Sequence, residues 1–325
     1  MTERAQKIRD FLILRGFLPV TEGSGAVFRS FQYDCVLMDL NATMVTSWGI
    51  EFNCVYKIIR NCLCNVWFCD ENPFYGGLPL YFALHRSGEI PKDSLRQIID
   101  VLYGISREAD VPQLAIGSID QGLLEDFQSV TGYTVKTEYS EDHSEYVYRT
   151  ADVLELAGGI NLNKRNRIKK FLNKPMVVLD PVTKDNLHLC LEIERQWCRG
   201  RDCGYCQSFA GCEKKALEHM KEIFTGTIHR GFIGFIDGLP AGFTICEKIS
   251  DKSASLFFGK STVNDFFVYL IYMSVKHFFS DVFYFNINED MGNSGLRIFK
   301  KHLGAHRMWR KYLCIFTRTG SVYGP

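Results

Sequence analysis

The chain has 325 residues, which predicts two domains at about 100–200 residues per domain. Hydrophobic residues make up 46% of the sequence and charged residues 23%, and 25 Phe, 15 Tyr and 4 Trp exclude a mainly disordered protein. The formal net charge of +1 excludes a grossly basic or grossly acidic protein, although it leaves room for local charged patches.

Membrane insertion and secretion are not predicted. The longest apolar run, Phe266 to Val275, is followed at once by Lys276, whereas a membrane-spanning helix needs about 20 apolar residues. The N-terminal segment carries charges throughout, and its apolar stretch Phe11–Leu14 is too short for a signal peptide. We therefore expect a cytoplasmic protein without a transmembrane segment, in which most of the 12 cysteines are reduced.

The first half of the chain mixes helical and strand patterns. Helices are predicted over 4–16, 92–106 and 121–130. Strands are predicted in the runs CVLMDL and NVWFC between 30 and 80 and in QLAIGSI, with a turn over 71–79. The run SEYVYRTADVLELAGGI predicts a strand that continues into a short helix. We expect these elements to form a first domain over 1–160.

The second half has a clearer order of elements. Residues 161–175 contain six Lys or Arg and no acidic residue, and we place the domain junction there. Asp237-Gly238 between alternating apolar residues predicts a hairpin over 232–245. Helices are predicted over 186–198, 212–224, 264–279 and 294–303, and strands over 256–258, 282–287 and 312–317. The resulting second domain, 176–325, resembles a GCN5-related acyltransferase domain in its order of elements.

Four cysteines form a short cluster, namely Cys198, Cys203, Cys206 and Cys212. Four thiolates this close are able to hold zinc or an iron–sulfur cluster. The alternative is a loop of reduced thiols, which the many cysteines elsewhere in the chain favour. We therefore predict no metal site. Walker-type phosphate loops and the common zinc-protease, serine-hydrolase and dinucleotide motifs are absent from the sequence.

Two basic stretches without acidic residues concentrate positive charge. The first contains Lys164, Arg165, Arg167, Lys169, Lys170 and Lys174, and the second contains Arg297, Lys300, Lys301, Arg307, Arg310 and Lys311. Phosphate-bearing partners suit such surfaces, either the pyrophosphate of coenzyme A or the backbone of an RNA. The alternative is a pair of solvated helix faces that are balanced by acidic residues elsewhere in space.

Polar residues follow a predicted apolar strand in the segment FYFNINEDMGNSGLRIFKKHLGA. Asn286, Asn288, Glu289 and Asp290 stand at the end of the strand, and a glycine-rich turn leads into a basic helix. The carboxyl end of a strand opposite a helix N-terminus is where mixed sheets place ligands. The alternative is that Asp290 and Asn293 only cap the helix.

The same segment carries a family resemblance. It contains N-x-x-x-D-x-G-x-x-G-L-R-x-x-K, read as Asn286, Asp290, Gly292, Gly295, Leu296, Arg297 and Lys300. A second pattern is read as Tyr146, Tyr148, Leu154, Leu156, Gly158, Lys164, Arg165, Asn166, Ile168 and Phe171. With AGFTICEKI and FFGKS between them, these patterns resemble proteins similar to the catalytic domain of phosphatidylglycerol lysyltransferase, over roughly 30–312.

The resemblance implies an α+β fold with two tandem GCN5-related N-acyltransferase (GNAT)-like domains, each a mixed twisted sheet flanked by helices. Related Fem-type and lysyltransferase enzymes pass an aminoacyl group from aminoacyl-tRNA to an amine or hydroxyl. The sequence departs from the family pattern at Gly259-Lys260-Ser261 and at Asn286-Ile287-Asn288, where the family has Glu-Lys-Ala and Asn-Arg-Glu.

Our leading hypothesis is an aminoacyltransferase without a resident cofactor, whose donor is aminoacyl-tRNA and whose acceptor is a small molecule, a peptide or a lipid head group. In that hypothesis Glu247 or Asp290 accepts a proton, and Lys260, Asn286 or Arg297 polarises the acyl carbonyl. We expect Asp290, Arg297 and Lys260 to share one pocket. The residues proposed to bind substrate or phosphate are Lys164, Arg165, Asn166, Asn264, Gly292, Lys300 and Lys301.

Two other hypotheses remain open. The first is an enzyme that uses acyl-coenzyme A in the same cleft. The usual pyrophosphate loop is missing before the cleft helix, where the sequence is Lys260 to Asp265. The second is a catalytically inactive tandem module that binds RNA or a metabolite.

Overall fold

The computed structural model describes residues 1–33, 37–69, 77–156, 161–199, 213–304 and 307–319. Within these residues the chain forms two compact units. The first unit contains 1–141 and 310–319, and the second contains 142–309, apart from the residues not described. This division differs from the predicted domains 1–160 and 176–325, and the predicted junction 161–175 lies inside the second unit.

The first unit is built on one mixed sheet. Its strands are β1 (Leu18–Pro19), β2 (Val55–Ile59), β3 (Cys62–Phe68), β4 (Leu80–Arg86), β5 (Leu114–Ile119), β6 (Tyr133–Tyr139) and β15 (Tyr312–Arg318). Its helices are α1 (Glu3–Leu14), α2 (Gly25–Arg29), α3 (Ala42–Glu51), α4 (Lys92–Glu108) and α5 (Leu124–Gln128). The strand order is β1-β2-β3-β4-β5-β15-β6, with β4 and β5 parallel. One buried apolar cluster includes residues of α1, α4 and α5. A second buried apolar cluster includes residues of α2 and α3.

The second unit is built on a second mixed sheet. Its strands are β7 (Glu145–Arg149), β8 (Val177–Pro181), β9 (His229–Arg230), β10 (Phe232–Ile236), β11 (Leu239–Ser250), β12 (Ser253–Ser261), β13 (Tyr284–Asn286) and β14 (Arg307–Trp309). Its helices are α6 (Thr150–Leu154), α7 (Leu162–Lys169), α8 (Leu187–Arg199), α9 (Glu213–Ile223), α10 (Phe266–Phe278) and α11 (Ser294–His302). The strand order is β14-β7-β13-β12-β11-β10-β8, β9 pairs with β11, and β12 and β13 are parallel.

The predicted hairpin is present in this unit as β10 and β11. Asp237 and Gly238 both have positive φ, at 51° and 77°, as a two-residue turn that follows the twist of its strands requires. Ile236 pairs with Leu239 across the turn. The apolar helix α10 packs against this hairpin and against α7. The predicted α+β class with two mixed sheets is therefore confirmed.

Other predictions need correction. The run CVLMDL was predicted as a strand, but Met38–Leu40 forms a 3₁₀ turn. Asn41 then caps α3, because its side chain accepts hydrogen bonds from the backbone of Thr43 and Met44. The predicted turn over 71–79 lies largely outside the described residues. No described helix has both the length and the apolar character that crossing a bilayer requires.

Helix α10 packs so closely on the hairpin that one strand position must be glycine. A Cβ atom at Gly234 would lie 2.5 Å from the Phe266 ring and 2.9 Å from Leu270. We expect Gly234→Ala to lower the free energy of unfolding by about 1–3 kcal/mol, because it overpacks the core. Urea unfolding measures this, with Gly226→Ala as the control, since a Cβ there meets no atom within 4 Å. Equal loss in both variants would contradict the prediction.

Candidate functional site

The parallel strands β12 and β13 diverge and open a gap in the second sheet. They pair only where Ser253–Ser255 face Tyr284–Asn286. Strand β12 continues to Ser261 against β11, whereas the chain after β13 turns at Asn288, which has a positive φ of 65°. Mixed sheets place ligands beyond the carboxyl ends of such strands. We therefore centre the candidate site on this gap.

A row of buried polar side chains crosses the sheet where the strands diverge. The Asn286 amide nitrogen donates to Glu145 at 2.6 Å, and the Ser255 hydroxyl donates to the Asn286 carbonyl at 3.1 Å. Glu247 stands opposite Ser255 on β11, and its carboxylate lies 3.8 Å from His229 Nε2. The structure thus brings the predicted residues Asn286 and Glu247 into one row, which is buried throughout.

Asp290 and Arg297 contact each other directly. Arg297 Nε and Nη2 each donate to the Asp290 carboxylate at 2.8 Å, and Nη2 also pairs with Asp142. The fully buried Asp290 accepts further hydrogen bonds from the Tyr146 hydroxyl at 2.6 Å and from the Gly292 backbone at 2.9 Å. Gly292 has a φ of +75°, so the turn after Asp290 favours glycine.

This arrangement fixes a loop and differs from the predicted roles of Asp290 and Arg297. Burial opposes ionisation of Asp290, but the hydrogen bonds from Arg297, Tyr146 and Gly292 prevail and lower its pKa to about 2. Such a carboxylate is a poor proton acceptor near neutral pH. The Nε and Nη2 donors of Arg297 are already used by Asp290 and Asp142.

Lys300 also holds the loop. Its ammonium group donates to the carbonyls of Ile287 and Glu289 at 2.6 Å and of Asn288 at 3.0 Å. Burial lowers the pKa of Lys300 to about 7, although the charges of Glu289 and Asp290 act in the opposite direction. Lys300 is therefore not the exposed phosphate ligand that its basic stretch predicted, whereas its neighbour Lys301 is exposed.

Lys260 lies on the other side of the gap, in a second charged cluster. It pairs with Glu213 at the start of α9, and its ammonium group lies 4.8 Å from the centre of the Trp197 ring. Burial disfavours the charge of Lys260, but Glu213 and Glu194 prevail and raise its pKa. Lys260 is thus a fixed cation whose side chain is 15% exposed. Lys260 makes neither a hydrogen bond nor an ion pair with Asp290 or Arg297, both of which are described, although the three were predicted to share a pocket.

Glu194 is the member of this cluster that sequence reasoning missed. It is 2% exposed, and its Oε2 atom has no hydrogen-bond partner among the described residues. Burial and the charge of Glu213 raise its pKa to about 7, while Lys260 and the Cys198 thiol oppose the rise. A signal was present, because Glu194 follows Leu187, Cys190 and Leu191 at the next position of the apolar stripe of α8.

Most of the first basic stretch is engaged within the protein. Lys164 is buried and donates to the Asp152 carbonyl, and Arg165 donates to the Leu156 carbonyl. Burial lowers the pKa of Lys164, against the charges of Asp152 and Glu155. Asn166 is exposed, as is Asn264 before α10. Neither Lys164 nor Arg165 therefore forms the free phosphate-binding surface that was predicted.

An acidic residue occupies the N-terminus of the cleft helix α10. Asp265 has a positive φ of 67° and precedes Phe266, the first residue of the helix. Its carboxylate pairs with Arg167 at 3.2 Å and with Lys170. The Asp265 carboxylate therefore already takes the place of an anion beside Arg167 and Lys170 at the N-terminus of α10.

The parallel strands of the first unit leave a different environment. Strands β4 and β5 pair at Phe82 and Ala83, and the end of β4 is then covered by the chain itself. The Tyr33 backbone donates to the Arg86 carbonyl at 2.9 Å, and His85 Nδ1 lies 3.1 Å from the Leu40 carbonyl. Because these contacts cover the end of β4, the candidate site is assigned to the second unit.

The cysteine cluster falls mostly outside the described residues, as Cys203, Cys206 and Cys212 are not among them. Cys198 lies 3.7 Å from Glu194 Oε1. In the described part of the chain no group of three or more His, Cys, Asp or Glu side chains is placed to hold a metal ion.

Comparison with known proteins decides the family. Residues 95–315 match the family described as phosphatidylglycerol lysyltransferase, C-terminal. The chain belongs to this family. It is therefore of acyltransferase type, as the resemblance implied. No curated protein matches the chain.

Three solved structures share the fold of this family member. A conserved protein of unknown function from Bacteroides thetaiotaomicron VPI-5482 has 19% identity and a TM-score of 0.80, over 93% of this chain and 99% of that one. The C-terminal domain of a putative lysylphosphatidylglycerol synthetase from Agrobacterium fabrum has 12% identity and a TM-score of 0.62, over 90% and 92%. FemX has 9% identity and a TM-score of 0.60, over 93% and 97%. The predicted tandem GNAT-like fold is thereby confirmed.

Proposed function

We propose that the protein transfers an aminoacyl group from aminoacyl-tRNA to an amine or hydroxyl acceptor, in the cytoplasm and without a resident cofactor. Such a reaction needs a carbonyl held beside a nucleophile and a positive group near the developing oxyanion. The observation that carries the proposal is the gap between β12 and β13, with the fixed cation Lys260 on one side and the polar row of Asn286 on the other.

The position of Asp265 favours aminoacyl-tRNA over acyl-coenzyme A. Helix N-termini and basic side chains commonly bind phosphate groups. Here the Asp265 carboxylate already pairs with Arg167 and Lys170 at the N-terminus of α10. A pyrophosphate would have to displace it against like-charge repulsion. A donor that brings its ester carbonyl into the gap from elsewhere avoids this conflict.

A transfer assay distinguishes the three hypotheses. Bulk tRNA charged with radiolabelled amino acids is incubated with the purified protein and with phosphatidylglycerol vesicles, a peptide or a small primary amine. We expect label in an acceptor only while the tRNA is intact, and no transfer from acetyl-coenzyme A. Transfer from acetyl-coenzyme A would support the runner-up enzyme. Binding of tRNA without any transfer would support an inactive module.

Lys260 offers a direct test of the site. We expect Lys260→Met to lower the transfer rate by about 10²–10³-fold, because it removes the positive group nearest the developing oxyanion. Lys252→Met is the matched control, since Lys252 is an exposed residue in the turn before β12. Comparable rates for the wild type and Lys260→Met, in protein with unchanged circular dichroism, would place the chemistry elsewhere.

A further inference from the structure

The transfer reaction needs a proton acceptor, and two predicted candidates are committed to other partners. Asp290 accepts hydrogen bonds from Arg297, Tyr146 and Gly292 and stays ionised. Glu247 is buried beside His229 in the polar row. Another group near the gap therefore has to take the proton from the acceptor nucleophile.

Glu194 and Glu213, which we call the carboxyl pair, both act on the charge of one cation, Lys260. Glu213 pairs with Lys260, and the charges of both Lys260 and Glu213 act on Glu194. A single ammonium group balances the charge of one carboxylate, so the other carboxyl group is able to keep a proton. The unpartnered Glu194 Oε2 is a place for that proton, because a buried acceptor without a donor is otherwise unfavourable.

The pair also lies at the gap. Lys260 is on β12 beyond the point where the pairing with β13 ends. Glu213 pairs with the Lys260 ammonium group and is thereby held beside this part of β12. The Glu213 side chain is 30% exposed and accessible to a ligand, whereas Glu194 is only 2% exposed.

We propose that the Glu194–Glu213 carboxyl pair accepts the proton that the acceptor nucleophile releases during aminoacyl transfer, an inference that rests on the function proposed above. Glu213 meets the acceptor, and Glu194 stores the proton. A group that ionises near pH 7 is well matched to this task, and burial gives Glu194 a pKa of about 7.

The step balances without a further reactant. The acceptor nitrogen or oxygen attacks the ester carbonyl carbon, and a new N–C or O–C bond forms. The bond from that carbon to the ribose oxygen of the tRNA breaks. The proton passes from the nucleophile to the carboxyl pair and then to the departing ribose oxygen, so that the pair returns to its first state. Lys260 stays protonated and faces the oxyanion.

The test is the pH dependence of kcat/KM for transfer from the charged tRNA to the acceptor found in the assay above. In the wild type we expect the rate to rise as the pH passes through about 7, where Glu194 loses its proton. Glu194→Gln is expected to lose about 10²–10⁴-fold in kcat and to lose this inflection, with the KM for the tRNA unchanged. Glu213→Gln is expected to show the same loss.

The control is Glu192→Gln, which alters an exposed carboxyl group on the same helix. It is expected to keep the wild-type rate and pH profile. Circular dichroism verifies that each variant is folded. A Glu194→Gln variant with the wild-type profile and a rate within about twofold of the wild type would overturn this inference alone. A wild type that transfers no aminoacyl group would overturn the proposed function and this inference with it.

Discussion

Replacing Asp290 by Ala is expected to lower the free energy of unfolding by about 3 kcal/mol, because it removes one partner of a buried ion pair. The fully buried carboxylate accepts hydrogen bonds from Arg297, Tyr146 and Gly292. Its loss leaves the Tyr146 hydroxyl and the Gly292 backbone without their acceptor. Urea unfolding measures the effect. The control is Asp281→Ala, which removes an exposed ion pair with Lys248 and should change stability little.

The Asp290 carboxylate also makes the free energy of unfolding depend on pH in the acidic range. The pKa of Asp290 is lower in the folded protein than in the unfolded chain, at about 2. Its contribution is therefore fully present above the unfolded pKa, near pH 4, and is lost as the pH falls towards 2. We expect Asp290→Ala to flatten this part of the curve of stability against pH. A loss below about 1 kcal/mol at neutral pH, with an unchanged acid branch, would show that the loop is held by other contacts.

The Glu194 carboxyl group is expected to make the free energy of unfolding depend on pH in the opposite direction. The pKa of Glu194 is raised from 4.5 to about 7 by burial and Glu213, so the folded protein binds a proton that the unfolded chain has released. The free energy of unfolding should fall as the pH rises from about 4.5 to about 7, by up to roughly 3 kcal/mol. Glu194→Gln should remove this fall and be more stable than the wild type at pH 8.

Urea unfolding at several values from pH 5 to pH 8 tests this, with Glu192→Gln as the matched control. Glu192 is exposed on the same helix, where its carboxylate accepts a hydrogen bond from Gln196. We expect the control to follow the wild type throughout. Parallel curves for the wild type and Glu194→Gln would mean that Glu194 ionises alike in the folded and unfolded states.

Local signals in the sequence predicted local structure well. The Asp237-Gly238 turn and the apolar stripe of α4 depend on neighbouring residues, and both form where they were predicted, although the second strand of the hairpin continues to Ser250. Likewise, Asn293 caps α11 by accepting from the Leu296 backbone. The fold with two sheets was predicted from the family resemblance.

Features that depend on distant pairing were missed. Strand β7 joins β13 and β14 of the second unit, although the chain reaches it directly from the first unit. The role of Asp290 was predicted from its place after a strand, but the sequence does not reveal that Arg297 and Tyr146 both turn towards it. The Lys164 position was likewise predicted as exposed, whereas its ammonium group turns inward to a backbone carbonyl.

The path of β15 determines the order in which the protein is able to fold. This strand lies between β5 and β6, so the first sheet is interrupted until residues 312–318 arrive. On the ribosome these residues are made only after the whole of the second unit. The unit synthesised first is therefore completed second, and the long interval leaves the unpaired edges of β5 and β6 open to association with other chains.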